Sequence, residues 1–210
     1  MGSVQSVIRF IDAISDAIIA NKELLTELDR PIGDSDHGLN MAKGFSLVKK
    51  KLPELQNESI ENALKAVAMA LISSVGGASG PLYGTAFLQA SKVMKGKDEL
   101  HRADSVAILE EAVAGIMRRG KAHKGEKTML DALIPAVDTL KAEIAAGATP
   151  KDAFTKAAEA AKAGVEYTKT IIATKGRASY LGERSLGHQD PGATSSWIML
   201  DTIAKTIPEG

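Results

Sequence analysis

The sequence predicts an all-α chain: one domain over residues 1–210 in which eight helices run up and down as an antiparallel bundle. Three observations predict it. Apolar residues recur at the three- and four-residue spacing of a helix face almost throughout. Period-two alternation of β-branched residues is sustained nowhere. Aromatic residues make up only 4% of the chain while alanine is abundant in its second half, a composition suited to close helix approach.

Each helix follows from its apolar positions. The first carries Val4, Ile8, Ile11, Ile14, Ile18 and Leu25, and the second, after an acidic stretch, Met41, Phe45, Val48 and Leu52. Ile60, Leu64, Val67 and Leu71 mark the third; Leu82, Phe87, Ala90 and Met94 mark a fourth that starts near Pro81. The fifth uses Val106, Leu109, Val113 and Ile116, and the sixth Met129, Leu133, Val137, Leu140 and Ile144. Pro135 is expected to kink the sixth, because its ring removes a backbone donor and crowds the preceding turn. Thr149-Pro150 pairs a cap with proline at the first helical position and opens a seventh helix running to about Ile172; Asp190-Pro191 opens an eighth through Ile198 and Ile203. These apolar positions are explained by a core, with no cofactor pocket needed.

In an up-and-down arrangement the connections after helices one, three, five and seven share one end. All four are unusual. The first, residues 29 to 40, holds Asp29, Asp34 and Asp36. The second, Val75 to Pro81, holds three glycines and a serine before a helix start, where bare amides favour an anion. The third runs from Gly120 to Thr128, and the fourth, long and aperiodic, from Thr174 to Pro191 with Lys175 and Arg177. The connections at the other end are short or plainly polar.

Three carboxylates so close together repel one another unless a cation sits among them, and hard oxygen ligands suit Mg²⁺ or Ca²⁺. Asp, Ser and Gly also compose ordinary solvated turns and caps, so both readings stand on these residues alone. An EF-hand is excluded, because its twelfth position would be Phe45. The phosphate motifs of parallel-sheet folds fail too: Gly120 to Thr128 has Glu126 inserted before Lys127-Thr128, and Gly76 to Gly80 does not fit G-x-G-x-x-G. A nucleotide site would have to work through carboxylates holding Mg²⁺ and Mg²⁺ holding phosphates.

The 26 basic and 26 acidic side chains cancel, which recommends neither nucleic acid nor an anionic membrane as partner. With no cysteine there is no disulfide framework, thiolate metal site or cysteine nucleophile. No stretch approaches the ~18 apolar residues of a membrane span, and a cytoplasmic location is expected.

The runs Gly33-Asp34-Ser35-Asp36-His37-Gly38-Leu39-Asn40-Met41, Ser73 to Gly84, Gly176 to Ser185 and Gly187 to Ser195 closely resemble the DhaL family, the ADP-binding subunits of bacterial phosphoenolpyruvate-dependent dihydroxyacetone kinases. The resemblance implies an eight-helix barrel holding ADP/ATP and two Mg²⁺ ions at one end. By the same likeness Asp29, Asp34 and Asp36 ligate metal, and His37, Gly38, Leu39 and Asn40 lie along the phosphates. Ala78 and Ser79 add amide and hydroxyl donors, Gly120 and Met129 border adenine and ribose, Arg177 approaches the phosphates, and Asp190, Pro191 and Gly192 close the site. Ser35 stands where the family commonly has Ala or Gly. The implied chemistry keeps ADP bound as a coenzyme. A phosphohistidine carrier subunit recharges it, and the γ-phosphoryl passes to dihydroxyacetone held on a separate substrate-binding subunit, with no covalent nucleophile on this chain. His37 and His188 are accordingly read as hydrogen-bonding groups rather than phosphohistidines. Two other roles are similar in their use of such a barrel: the nucleotide domain of an ATP-dependent kinase, and a nucleotide-state-dependent partner of a transcription regulator.

Overall fold

Helices account for every regular element of the computed structural model, which describes residues 2–209; Met1 and Gly210, the ends of the domain expected over 1–210, lie outside them. The helices are α1 Val4–Ala20, α2 Lys22–Asp29, α3 His37–Lys51, α4 Ile60–Ser74, α5 Ser79–Val93, α6 Arg102–Gly120, α7 Leu130–Ala145, α8 Pro150–Thr168 and α9 Pro191–Thr206, with 3₁₀ segments at Leu52–Leu55 and Arg177–Ser185. Among the described residues there is no strand, only an isolated bridge between Gly2 and Leu100. None of these helices is long and apolar enough to cross a membrane.

The count among the described residues is nine α-helices rather than the eight expected, because the first predicted helix is two. Asn21 ends α1 by donating both its amide and its side-chain Nδ2 to the Ala17 carbonyl, at 3.1 and 2.8 Å, and α2 restarts at Lys22. The apolar spacing continues across the break, since Leu25 is as fully buried as Ile18. The seventh predicted helix ends at Thr168, four residues short of Ile172. The fourth starts at Ser79, so Pro81 sits at its third position, where no amide donor is required. The two predicted caps form: Thr149 Oγ1 accepts from Asp152 N at 3.1 Å, and the Asp190 carboxylate accepts from Ala193 N at 2.7 Å.

Pro135 does not interrupt α7, which runs unbroken from Leu130 to Ala145. Its missing amide leaves the Asp131 carbonyl without an intrahelical donor. The α8 backbone approaches that carbonyl closely at Gly164, where a Cβ would come within 2.0 Å of it. Glycine is therefore required at the α7–α8 crossing, and alanines at 132, 136, 157 and 161 line the same buried seam.

Helix contacts run α1–α3–α4–α5–α6–α7–α8–α9 and back to α1, with α2 lying against α3 and α9. The bundle is thus a closed ring. Ile11, Leu64, Ala86, Ile116 and Met199 line a lumen of about 470 Å³, and Tyr83 and Ser196 add hydroxyls to its wall.

Candidate functional site

Asp29 organises the acidic loop. It is the last residue of α2 and is buried; its carbonyl accepts from Ile32 N and Gly33 N, and its Oδ2 accepts from Asp36 N at 2.9 Å and His37 N at 3.2 Å. The chain therefore curls around one carboxylate, with Ser35 in the left-handed region at φ 63°. A Cβ at Gly33 would fall 1.9 Å from Asp29 Oδ1, so a side chain there would displace the carboxylate that organises the curl.

This curl brings the three predicted carboxylates together: ligand oxygens of Asp29, Asp34 and Asp36 all lie within 4.8 Å of one another. Burial, followed by the neighbouring Asp34 carboxylate, pushes the Asp36 carboxyl above its ordinary range. Arg177, from the long loop before α9, pairs with Asp34 at 2.8 Å and does so from a solvent-exposed position. The donor set is oxygen-only, negatively charged and crowded, which fits a hard divalent cation and not zinc or copper.

Two helix N-termini lie at this end: α3, whose first amide at His37 is taken by Asp29, and α5, which begins at Ser79 without a side-chain cap. Their first-turn amides, from Gly38, Leu39 and Gly80 among others, are the kind of donor that an anion takes up. His37 itself is buried. Its ring is clasped by Ser79 Oγ at Nδ1, 3.1 Å, and Ser195 Oγ at Nε2, 3.0 Å. Burial lowers its pKa to about 4, so the imidazole is neutral at physiological pH. The expected hydroxyl of Ser79 is thus directed to His37.

The remaining predicted residues lie at helix ends. Ala78 is the N-cap residue of α5, Leu39 is half exposed, and Asn40 closes the first turn of α3 with its amide on the Asp36 carbonyl at 2.8 Å. Asp190 caps α9, and burial raises its carboxyl pKa to about 7. Pro191 and Gly192 follow, with Gly192 beside the backbone of Met129. Gly120 ends α6 and touches Leu82 one turn into α5; no described contact ties it to the carboxylates. His188 supplies a backbone carbonyl to Lys127.

Several structural groups at this end went unassigned in the sequence reading. Tyr83 OH meets Ser195 Oγ at 2.7 Å and Ser196 Oγ at 2.9 Å, extending the His37 contacts to the lumen wall. Asp131 is fully buried and holds the α6–α7 loop by accepting from Gly125 N at 2.5 Å and Thr128 N at 2.9 Å. Thr128-Met129-Leu130-Asp131 has the S/T-x-x-D/E spacing of a helix start, a signal that could have found it. Lys127, between them, is buried.

A family model described as the DAK2 domain matches residues 31–205. Over 203 residues the chain is 42% identical to the PEP-dependent dihydroxyacetone kinase, ADP-binding subunit DhaL, of Escherichia coli (strain K12), covering 97% of each. It is 43% identical over 199 residues to the PEP-dependent dihydroxyacetone kinase 1, ADP-binding subunit DhaL, of Listeria innocua, covering 95% of this chain and 94% of that one. Among solved structures, the dihydroxyacetone kinase from C. freundii in complex with AMP-PNP and Mg²⁺ superposes with a TM-score of 0.76 at 24% identity, covering 99% of this chain and 35% of that chain. That likeness is one of fold.

Proposed function

Because the chain belongs to the DAK2 domain family, we propose that it is the ADP-binding subunit of a phosphoenolpyruvate-dependent dihydroxyacetone kinase, acting as one nucleotide-binding domain over residues 1–210. The observation that carries this reading is the convergence of the Asp29, Asp34 and Asp36 oxygens within 4.8 Å, beside the N-termini of α3 and α5. Likeness over nearly the whole length of the ADP-binding subunits supports it. In this reading a phosphohistidine on a carrier subunit charges bound ADP, and the γ-phosphoryl then passes to dihydroxyacetone on a separate substrate-binding subunit.

The three aspartates are the ligands for two Mg²⁺ ions. When bound, these ions supply neutralisation of the phosphate charge through the transfer. The chain's own work is positioning. Asp29 is pre-oriented by the Asp36 and His37 amides. His37, Gly38, Leu39 and Asn40 lie along the phosphates, with Gly38 and Leu39 offering amides, and Ala78 and Ser79 approach them from α5. Gly120 and Met129 border the adenine and ribose, and Asp190, Pro191 and Gly192 close the site. Arg177 lies on loop 174–190 and exchanges its exposed pairing with Asp34 for the phosphates, a bidentate role open to a guanidinium. His37 carries no phosphoryl group, since both ring nitrogens already have hydroxyl partners.

The test is retention of nucleotide. Protein loaded with radiolabelled ADP and Mg²⁺ is expected to keep the label through gel filtration, to release it on chelation, and not to exchange it against free ATP. Rapid exchange would sink the subunit reading. Asp34→Ala and Asp36→Ala are expected to lose the label; retention equal to the parent in both would overturn the metal assignment.

A further inference from the structure

The Gly120 to Thr128 loop carries Lys127 between Glu126 and Thr128, a lysine of the kind that would, in a phosphate loop, reach for phosphate. Lys127 does not. Its backbone is in the left-handed region at φ 61°, its side chain turns inward, and it is only 2% exposed. The ammonium donates to the backbone carbonyls of Thr168 and His188, the latter at 2.5 Å, with Ile171 O at 3.5 Å. Its counter-charges, Asp190 and Asp131, act on it at longer range.

These carbonyls are not scattered. Thr168 is the last residue of α8, where the helix dipole is negative. The Thr168 hydroxyl in turn accepts from Asp190 N at 3.0 Å, and His188 stands two residues before Asp190. The strand of chain entering α9 is therefore held twice against the end of α8, by one side-chain hydroxyl and one buried ammonium. The loop that bears Lys127 is itself fixed by Asp131 through the Gly125 and Thr128 amides.

We propose that Lys127 is a positioning residue of the nucleotide site: its ammonium clamps segment 188–192 to the Thr128–Met129 turn and so holds the adenine and ribose side in register with the metal side. This rests on the nucleotide-binding reading above. The ammonium does more than satisfy buried carbonyls, each of which would cost free energy if left without a donor. What the ammonium adds is direction, because three carbonyls from two segments converge on one point.

The test separates charge from volume, and it uses the absence of cysteine from the chain. In Lys127→Met, ADP release from the Mg²⁺-loaded protein is expected to speed at least about ten-fold, equivalent to roughly 1.4 kcal/mol. In Lys127→Cys, alkylation under denaturant followed by refolding gives two matched adducts. Bromoethylamine restores an ammonium at nearly lysine length, whereas iodoacetamide leaves a neutral amide. Only the aminoethyl adduct is expected to retain ADP at the rate of wild type carried through the same cycle. Equal retention by both adducts, or loss by both while wild type retains, would overturn the proposal, and the pair decides the matter even if Lys127→Met does not fold. Free release of ADP from wild type would instead sink the nucleotide reading itself.

Discussion

Tyr83 gives one hydroxyl three partners, Ser195 Oγ, Ser196 Oγ and the Gly192 carbonyl, and it is almost wholly buried. Burial pushes its pKa up to about 12, so the group stays a donor at any working pH. Tyr83→Phe leaves two buried serine hydroxyls with one partner fewer each, and is expected to cost about 1–2 kcal/mol in urea unfolding; an unchanged midpoint would mean that the hydroxyl is idle. Asp190 sets a pH dependence. Its carboxyl, raised from 3.8 to about 7 chiefly by burial, keeps its proton more tightly in the fold than in the unfolded chain. Between those values the folded state binds more protons, so stability contributed by this group is present below the unfolded pKa and falls as pH rises towards 7, levelling off above it. In chelator, wild type minus Asp190→Asn should lose on the order of 2–4 kcal/mol across that window. A flat difference would show that the carboxylate is well solvated or neutralised by Lys127. At this scale the sequence was legible for residues that act on near neighbours, such as Asp190 as a cap. It was not legible for Tyr83 and Lys127, whose partners lie 112 and 61 residues away.

Helix starts carry their own chemistry, which is why Thr149-Pro150 and Asp190-Pro191 could be placed from the chain alone. The Asn21 break could not, because the apolar period runs through it and one asparagine among polar residues has no distinctive spacing. Pro135 is accommodated without ending α7: its orphaned carbonyl at Asp131 is covered by the bare Gly164 backbone of α8, and the helix runs on. Two predictions belong to this scale. Gly164→Ala must push α8 away from α7, since its Cβ would sit 2.0 Å from a backbone oxygen that cannot move aside. It is expected to cost roughly 1–3 kcal/mol or more in denaturant unfolding, and a variant as stable as the parent would mean that the two helices slide freely. Thr149→Ala removes the α8 cap at the opposite end of the barrel from the carboxylates. It should cost about 1 kcal/mol while leaving ADP release unchanged; faster release would mean that α8 transmits strain from one end to the other.

Alternation of helix direction is what gathers four distant loops at one end, and it was legible as soon as the helices were counted in pairs. The extra break at Asn21 does not disturb it, because α2 continues the course of α1 towards the acidic loop and packs on α3 and α9. Closure of the ring between α1 and α9 was not visible in the periodicity, which describes one face per helix and says nothing of which first and last faces meet. That closure fixes the energetics of the site. Contacts between Arg177 and Asp34, His37 and Ser79, His37 and Ser195, and Lys127 and His188 each join different loops or helices, so a ligand at this end bridges segments that separate on unfolding. A ligand at one hundred times its dissociation constant adds about 2.7 kcal/mol, and in a domain of this size each kcal/mol raises the melting temperature by roughly 2–4 °C. The melting temperature should therefore rise by roughly 5–11 °C with saturating ADP and Mg²⁺ together. The end of the barrel is crowded with carboxylates, so ADP in chelator meets its own charge and should give little of that rise. If ADP alone raised the melting temperature as much as ADP with Mg²⁺, the phosphates would be held by amides and Arg177 directly, and Asp29, Asp34 and Asp36 would have no cation to share.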